Sequence, residues 1–140
     1  MATGVQGVVP RQDPRQVSNT LKKTVNYNDV GIANGLPFEA WLPQGAFIIS
    51  VLCEIVAVFN AGATNVLTVG TNGPATYDNI INAGDVNEAA LGVTSVVRAL
   101  GRGLAAAGNV RPYAKYTQTG GAATTGQAVI CIEYEGGWAS

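Results

Sequence analysis

One stretch of the sequence, from Phe47 to Phe59, is apolar on both faces of the strand that it predicts. Side chains alternate between the two faces of a strand, and every odd position in this stretch is apolar, which fits a buried face. The even positions are also mostly apolar, although Ser50 and Glu54 interrupt them. A strand with two apolar faces belongs inside a sandwich, or in a sheet whose outer face another molecule covers. The stretch therefore predicts a protein that binds a partner through a β-sheet.

The predicted contact surface is the even face of this strand. Charged residues make up only 12% of the 140 residues, against about 25% in ordinary globular proteins. Few charges then need to lose their water when such a surface is covered, although an all-β protein with many turns can have the same composition. The residues predicted to form a dimer interface or a contact with another protein are Ile48, Leu52, Val56 and Val58.

Short alternating segments separated by Gly- and Asn-rich turns predict an all-β protein, an antiparallel β-sandwich. Their periodicity does not distinguish a jelly roll from an immunoglobulin-like topology. Asp85 precedes Glu88 by three positions as in a capping box, so 85–91 is expected to form a helical turn. The strands are predicted at 17–27, 47–59, 66–69, 76–81, 93–97, 110–117 and 127–135.

The chain divides into an arm and a domain. Residues 1–16 carry glycines and prolines without an apolar period, which predicts an extended N-terminal arm ahead of a sandwich domain at 17–140. No apolar run reaches the ~20 residues of a membrane helix, so we expect no membrane partner.

Charge is distributed unevenly between the N-terminal region and the rest. Residues 1–23 hold four basic residues and one acidic residue, a net charge of +3, whereas the remainder holds four basic and eight acidic residues, a net charge of −4. This asymmetry predicts contact with an acidic partner surface, although a solvated tail is the alternative. Nucleic acid is not expected, because the basic residues are sparse and lack interleaved aromatics. The predicted contact residues of this basic region are Arg11, Arg15, Lys22 and Lys23.

The residues that usually carry chemistry are scarce. The chain has no histidine, which removes the commonest general base and the usual catalytic triads. Cys53 and Cys131 lie in separate apolar segments, so we expect free thiols, with a disulfide open if their strands are neighbours. Two such cysteines do not make a zinc site. We therefore expect a protein that is not an enzyme, with no catalytic residues, no metal and no cofactor.

Two motifs carry a family resemblance. The stretch from Leu42 to Val51, LPQGAFIISV, is followed by AVFNAGATNVLTVG from Ala57 to Gly70. Together they resemble structural proteins of tailed bacteriophages, in particular the cement (decoration) proteins of short-tailed phages of the Bordetella phage kind. The motifs consist of strands and turns, and a tail-associated or carbohydrate-binding sandwich is the alternative.

The resemblance implies a jelly roll that forms a homodimer. Such a protein would bind the outside of the virion and clamp neighbouring subunits of the major capsid protein, after synthesis in the host cytoplasm. The low charge, the doubly apolar strand and the basic arm agree with this expectation.

Overall fold

The computed structural model describes residues 18–136, which form two antiparallel sheets packed face to face. One sheet has four strands in the order β1-β7-β3-β5, and the other has three in the order β2-β6-β4. The predicted all-β sandwich is confirmed, and no helix occurs within the described range. The predicted arm at 1–16 lies outside the described residues. The strands are β1 (Ser18–Asn26), β2 (Leu36–Pro37), β3 (Ala46–Ala57), β4 (Thr64–Gly70), β5 (Gly92–Ser95), β6 (Tyr113–Thr119) and β7 (Gln127–Gly136).

The core consists of the inward side chains of both sheets. Strand β3 is central because it pairs with β7 on one side and β5 on the other. The aromatic rings of Phe59 and Tyr116 meet across the core with centroids 4.7 Å apart. The innermost side chains of β3, β7 and β4 have no exposed surface or almost none, and they include Val51, Cys53, Ile55, Ile130, Ile132, Leu67 and Val69.

Two β-bulges interrupt the pairing of β3 with β7, between Ile48 and Ser50 and between Ile55 and Ala57. A bulge adds one residue to one strand and reverses the faces of the residues beyond it. Ile48 therefore lies in the core with 0% of its surface exposed, whereas Phe47 is 50% exposed. The sides expected for these two residues are wrong, because the strict odd-even alternation holds only between the bulges.

Residues 76–81 do not form the predicted strand. Only an isolated bridge joins Ile81 to Val69, and Tyr77 has a positive φ of 47°. The Tyr77 ring stacks on Tyr113 of β6 with centroids 4.5 Å apart, and the Lys115 Nζ donates to the Ala75 carbonyl at 2.6 Å. This loop therefore covers part of the outer face of the three-stranded sheet.

Residues 85–91 form turns instead of the predicted helical turn. The Glu88 carboxylate is only 8% exposed and accepts the Leu67 N–H at 3.0 Å, while its carbonyl accepts the Phe59 N–H at 2.9 Å. Leu67 belongs to β4, an edge strand, so Glu88 satisfies a donor at a sheet edge rather than at a helix start. No helix in the described part of the chain is long and apolar enough to cross a membrane.

The Glu88 contact gives a stability prediction. Glu88→Ala removes the acceptor of a buried N–H, and we expect it to lower the free energy of unfolding by about 1–3 kcal/mol. Glu88→Gln keeps an acceptor of the same shape and removes a buried charge that pairs with no cation among the described residues, so its stability should equal or exceed that of the wild type. Urea unfolding of the three proteins measures the difference. A Gln variant as unstable as the Ala variant would show that the charge itself is required.

Candidate interaction surface

The outer face of the four-stranded sheet, here called the open face, is not covered by any other described segment. Residues paired across antiparallel strands point to the same side of the sheet, so the register identifies the members of this face. None of the side chains in its two central rows is buried. From β1 to β5, these rows are Lys22, Cys131, Leu52 and Ser95, and then Thr24, Val129, Glu54 and Val93.

Exposed apolar residues concentrate along one side of this sheet. Within residues 18–136, nine large apolar side chains are exposed, and only Val30 and Trp41 lie elsewhere. The other seven belong to β3 or to the segment 91–100 that runs along its edge. Contiguous exposed apolar surface in a soluble protein marks an interaction site more often than scattered residues do. These seven residues, here called the apolar stripe, are Phe47, Leu52, Val56, Leu91, Val93, Val97 and Leu100.

The other half of the open face is polar. Thr20, Lys22 and Thr24 project from β1, and Glu133 and Glu135 from β7. On β3, Glu54 projects between Leu52 and Val56, so the apolar side of the open face also carries one carboxylate. The open face is therefore mostly apolar along β3 and β5 and charged along β1 and the end of β7.

The predicted interface residues fall into three groups. Leu52 and Val56 are exposed, at 37% and 45%, and both belong to the apolar stripe. Val58 is half-buried just beyond the end of β3, and Ile48 is in the core. Sequence reasoning missed Val93, because the pairing that brings β5 beside β3 joins residues about 40 positions apart.

The predicted basic contacts are also divided. Lys22 and Lys23 are part of β1 and point to opposite sides of the sheet, so they are not a continuation of the arm. Lys22 is exposed on the open face, whereas the Lys23 ammonium lies 3.4 Å from the Glu39 carboxylate. Arg11 and Arg15 lie outside the described residues.

Both cysteines are free, as expected. Cys53 and Cys131 project from opposite faces of the same sheet, which explains why these neighbouring strands carry no disulfide. Burial, reinforced by the negative charge of Glu88, raises the pKa of Cys53 to about 12. Cys131 is partly exposed beside Leu52 on the open face.

The two thiols should differ in reactivity. The thiolate is the reactive form, and Cys53 is both buried and fully protonated near neutral pH. At pH 8 we expect a maleimide to modify one thiol per folded chain, and two after denaturation. Mass spectrometry counts the adducts, and Cys131→Ser should abolish the modification of the folded protein. Rapid modification of both thiols in the folded state would contradict the burial of Cys53.

A groove lies beside the edge of β5, and no local sequence pattern predicts it. It encloses about 320 Å³ and is lined by Asp85, Val96 and Val97 together with the flanking Ser95 and Arg98. The Arg98 guanidinium donates two hydrogen bonds to the Asp85 carboxylate, at 2.9 and 3.0 Å. These bonds lower the pKa of Asp85 below its usual value. The described residues contain no cluster of three or more His, Cys, Asp or Glu side chains suited to a metal ion.

Comparisons with known proteins identify a shared fold. No protein-family model matches the chain, and no curated protein matches its sequence. A chain in the capsid asymmetric unit of cyanophage Pam1 is similar in structure, with a TM-score of 0.66 and 16% identity over 96% of both chains. A chain in the acid-stable capsid of Helicobacter pylori bacteriophage KHP30 has a TM-score of 0.60 and 21% identity, covering 85% of this chain and 87% of that one. At these identities the likeness establishes the fold.

Proposed function

We propose that this protein is a non-enzymatic structural component of a bacteriophage virion, a cement or decoration protein. It binds the outer surface of the capsid as a homodimer and joins neighbouring subunits of the major capsid protein. The observation that carries this proposal is the concentration of exposed apolar side chains on β3 and on the segment 91–100 that runs along its edge.

The two sheets differ in a way that supports a single docking face. The loop that contains Tyr77 covers part of the outer face of the three-stranded sheet, whereas the open face has no such cover among residues 18–136. Complete burial of a Val, Leu or Phe side chain contributes about 1.5–3 kcal/mol. A stripe of seven partly exposed residues can therefore support stable binding even after the cost of ordering the partners.

The fold comparisons support the choice of a capsid as the partner. Both similar chains come from structures described as phage capsids. A capsid presents many copies of one surface, so a dimer can bind two sites at once and modest contacts combine into firm attachment. The protein would be made in the host cytoplasm and act on the assembled particle.

The basic residues supply a second contact in this proposal. Lys22 stands on the charged half of the open face, and Arg11 and Arg15 precede β1 in the sequence. We place these three residues against acidic capsid surface at the rim. Lys23 has no part in this contact, because its ammonium is beside Glu39.

Leu52→Asp tests the docking face. The variant loses part of the packing of Leu52 and places Asp in a strand, so it should fold with a loss of about 1–2 kcal/mol in unfolding free energy. A carboxylate in the centre of an apolar interface should cost binding about 2 kcal/mol or more, roughly a thirtyfold loss of affinity. Binding to purified capsids that lack this protein is measured by co-sedimentation, and oligomeric state by light scattering.

Val30→Asp is the matched control for this experiment. It also replaces an exposed apolar side chain with a carboxylate, but Val30 is 95% exposed and lies outside the stripe. We expect it to bind nearly as the wild type does. The open face would not be the docking face if the Leu52→Asp protein folded, kept its oligomeric state and bound capsids as the control does.

Cys131 reports on the same face without a substitution. Because it lies beside Leu52, a bound partner should slow its reaction with a maleimide at least about tenfold relative to the free protein. Adducts are counted by mass spectrometry on decorated particles and on free protein at equal concentration. Equal rates in the two samples would argue that this part of the open face remains accessible on the particle.

A further inference from the structure

The two edges of the four-stranded sheet differ in their protection. Charged side chains, lysine especially, are a common device that prevents another strand from pairing with a sheet edge. β1 carries Lys22 and Lys23 at one edge. The opposite edge strand, β5, has the sequence Gly-Val-Thr-Ser with no charge. Among the described residues, no strand pairs with the outer side of β5.

The alternation of hydrogen bonds along β5 shows which of its backbone groups do not bond to β3. The Val96 N–H donates to the Val51 carbonyl at 2.8 Å. Hydrogen-bonded pairs alternate along an antiparallel ladder, so Thr94 also bonds toward β3. The N–H and C=O groups of Val93 and Ser95 therefore point away from the sheet, in the position where an added strand would pair.

The surroundings of this edge favour one kind of strand. The groove of about 320 Å³ begins at Ser95 and follows the chain to Arg98. Val93 and Val97 are exposed along the edge. Further on, Arg102 forms no ion pair with another described residue. In the chain direction, the edge therefore passes from the apolar Val93 to the Asp85–Arg98 ion pair in the groove, and then to the cationic Arg102.

We propose that the β5 edge accepts an extended segment of the capsid subunit by β-strand addition. The segment has apolar residues at alternate positions beside Val93 and Val97, and a carboxylate that reaches Arg102. Backbone hydrogen bonds to Val93 and Ser95 hold it, and the groove takes a side chain from one face. The identity of this partner rests on the proposed function, whereas the pairing geometry rests on the edge itself.

Ser95→Pro tests the pairing directly. Proline removes the outward N–H of Ser95 but no hydrogen bond to β3, and an edge strand tolerates proline when its N–H side faces solvent. We expect an affinity for capsids about tenfold lower or more, with little change in the thermal midpoint.

Thr24→Pro is the control on the opposite edge. The Tyr27 N–H donates to the Gly126 carbonyl of the facing segment, and every second residue of β1 bonds to β7 in the same way. Thr24 belongs to the other set, so its N–H faces away from β7, as the Ser95 N–H faces away from β3. This variant should keep wild-type affinity. If Ser95→Pro does not fold, hydrogen exchange on the wild-type protein decides, because a charged residue at position 95 would also stand beside Leu52 on the open face.

Hydrogen exchange gives a second measurement on the wild-type protein. The amides of Val93 and Ser95 should exchange rapidly in the free protein and slowly on decorated capsids, whereas those of Thr94 and Val96 should be protected in both. Fragment-level mass spectrometry that separates these positions gives the result.

Three outcomes would overturn the proposal or its basis. Strand addition is wrong if Leu52→Asp loses capsid binding while Ser95→Pro binds normally, or while the Val93 and Ser95 amides stay unprotected on decorated capsids. The proposed function stands in that case. If Ser95→Pro turns a dimer into a monomer, the added strand belongs to a second copy, and the capsid segment is wrong. If the wild-type protein does not bind capsids, the proposed function fails and this partner fails with it.

Discussion

Pairing of β3 on both sides is the constraint on which the rest of the structure depends. About 40 positions separate the paired residues of β3 and β5, and about 70 to 90 separate those of β3 and β7, so these ladders hold distant parts of the chain together. Between its two bulges, β3 sends Val51, Cys53 and Ile55 into the core. The intervening Leu52 faces outward because of the same alternation. Core packing and the apolar stripe are therefore two consequences of one strand, and a shift of register would exchange them.

Most other edges and outer faces of the two sheets are covered by loops or carry lysines. Glu88 and a bridge to Ile81 occupy the outer edge of β4. The loop that contains Tyr77 lies on the outer face of the three-stranded sheet, and the edge strand β1 carries two lysines. What remains is the open face and the β5 edge next to it. These two surfaces are contiguous, so a single partner could contact both in one docking event, with side chains on the face and backbone at the edge.

Much of the sandwich could be predicted because its long strands have a clear period of two. β1, β3, β6 and β7 lie close to their predicted positions, and Leu52 and Val56 were found from the same pattern. The bulges could not be predicted, since Ile48 and Ile49 are both apolar and either could face inward. Residues 76–81 have strand-like composition, but the stacking of Tyr77 on Tyr113 favours a turn. The spacing of Asp85 and Glu88 predicts a helix cap, whereas the Glu88 carboxylate accepts the N–H of Leu67, twenty-one positions away, and no local pattern reveals that partner.

The pairing of Ser18 with Glu135 has a practical consequence for engineering this molecule. Adjacent strands are about 4.8 Å apart, so the chain enters and leaves the sandwich at one corner. A segment inserted immediately before Ser18 or after Gly136 would start at this corner, on the side of the sheet opposite β5. An insertion in the loop 120–125 would instead break contacts of the fold, because the Asn60 side-chain oxygen accepts the Thr124 and Thr125 N–H groups and the Gly62 N–H donates to the Gly121 carbonyl.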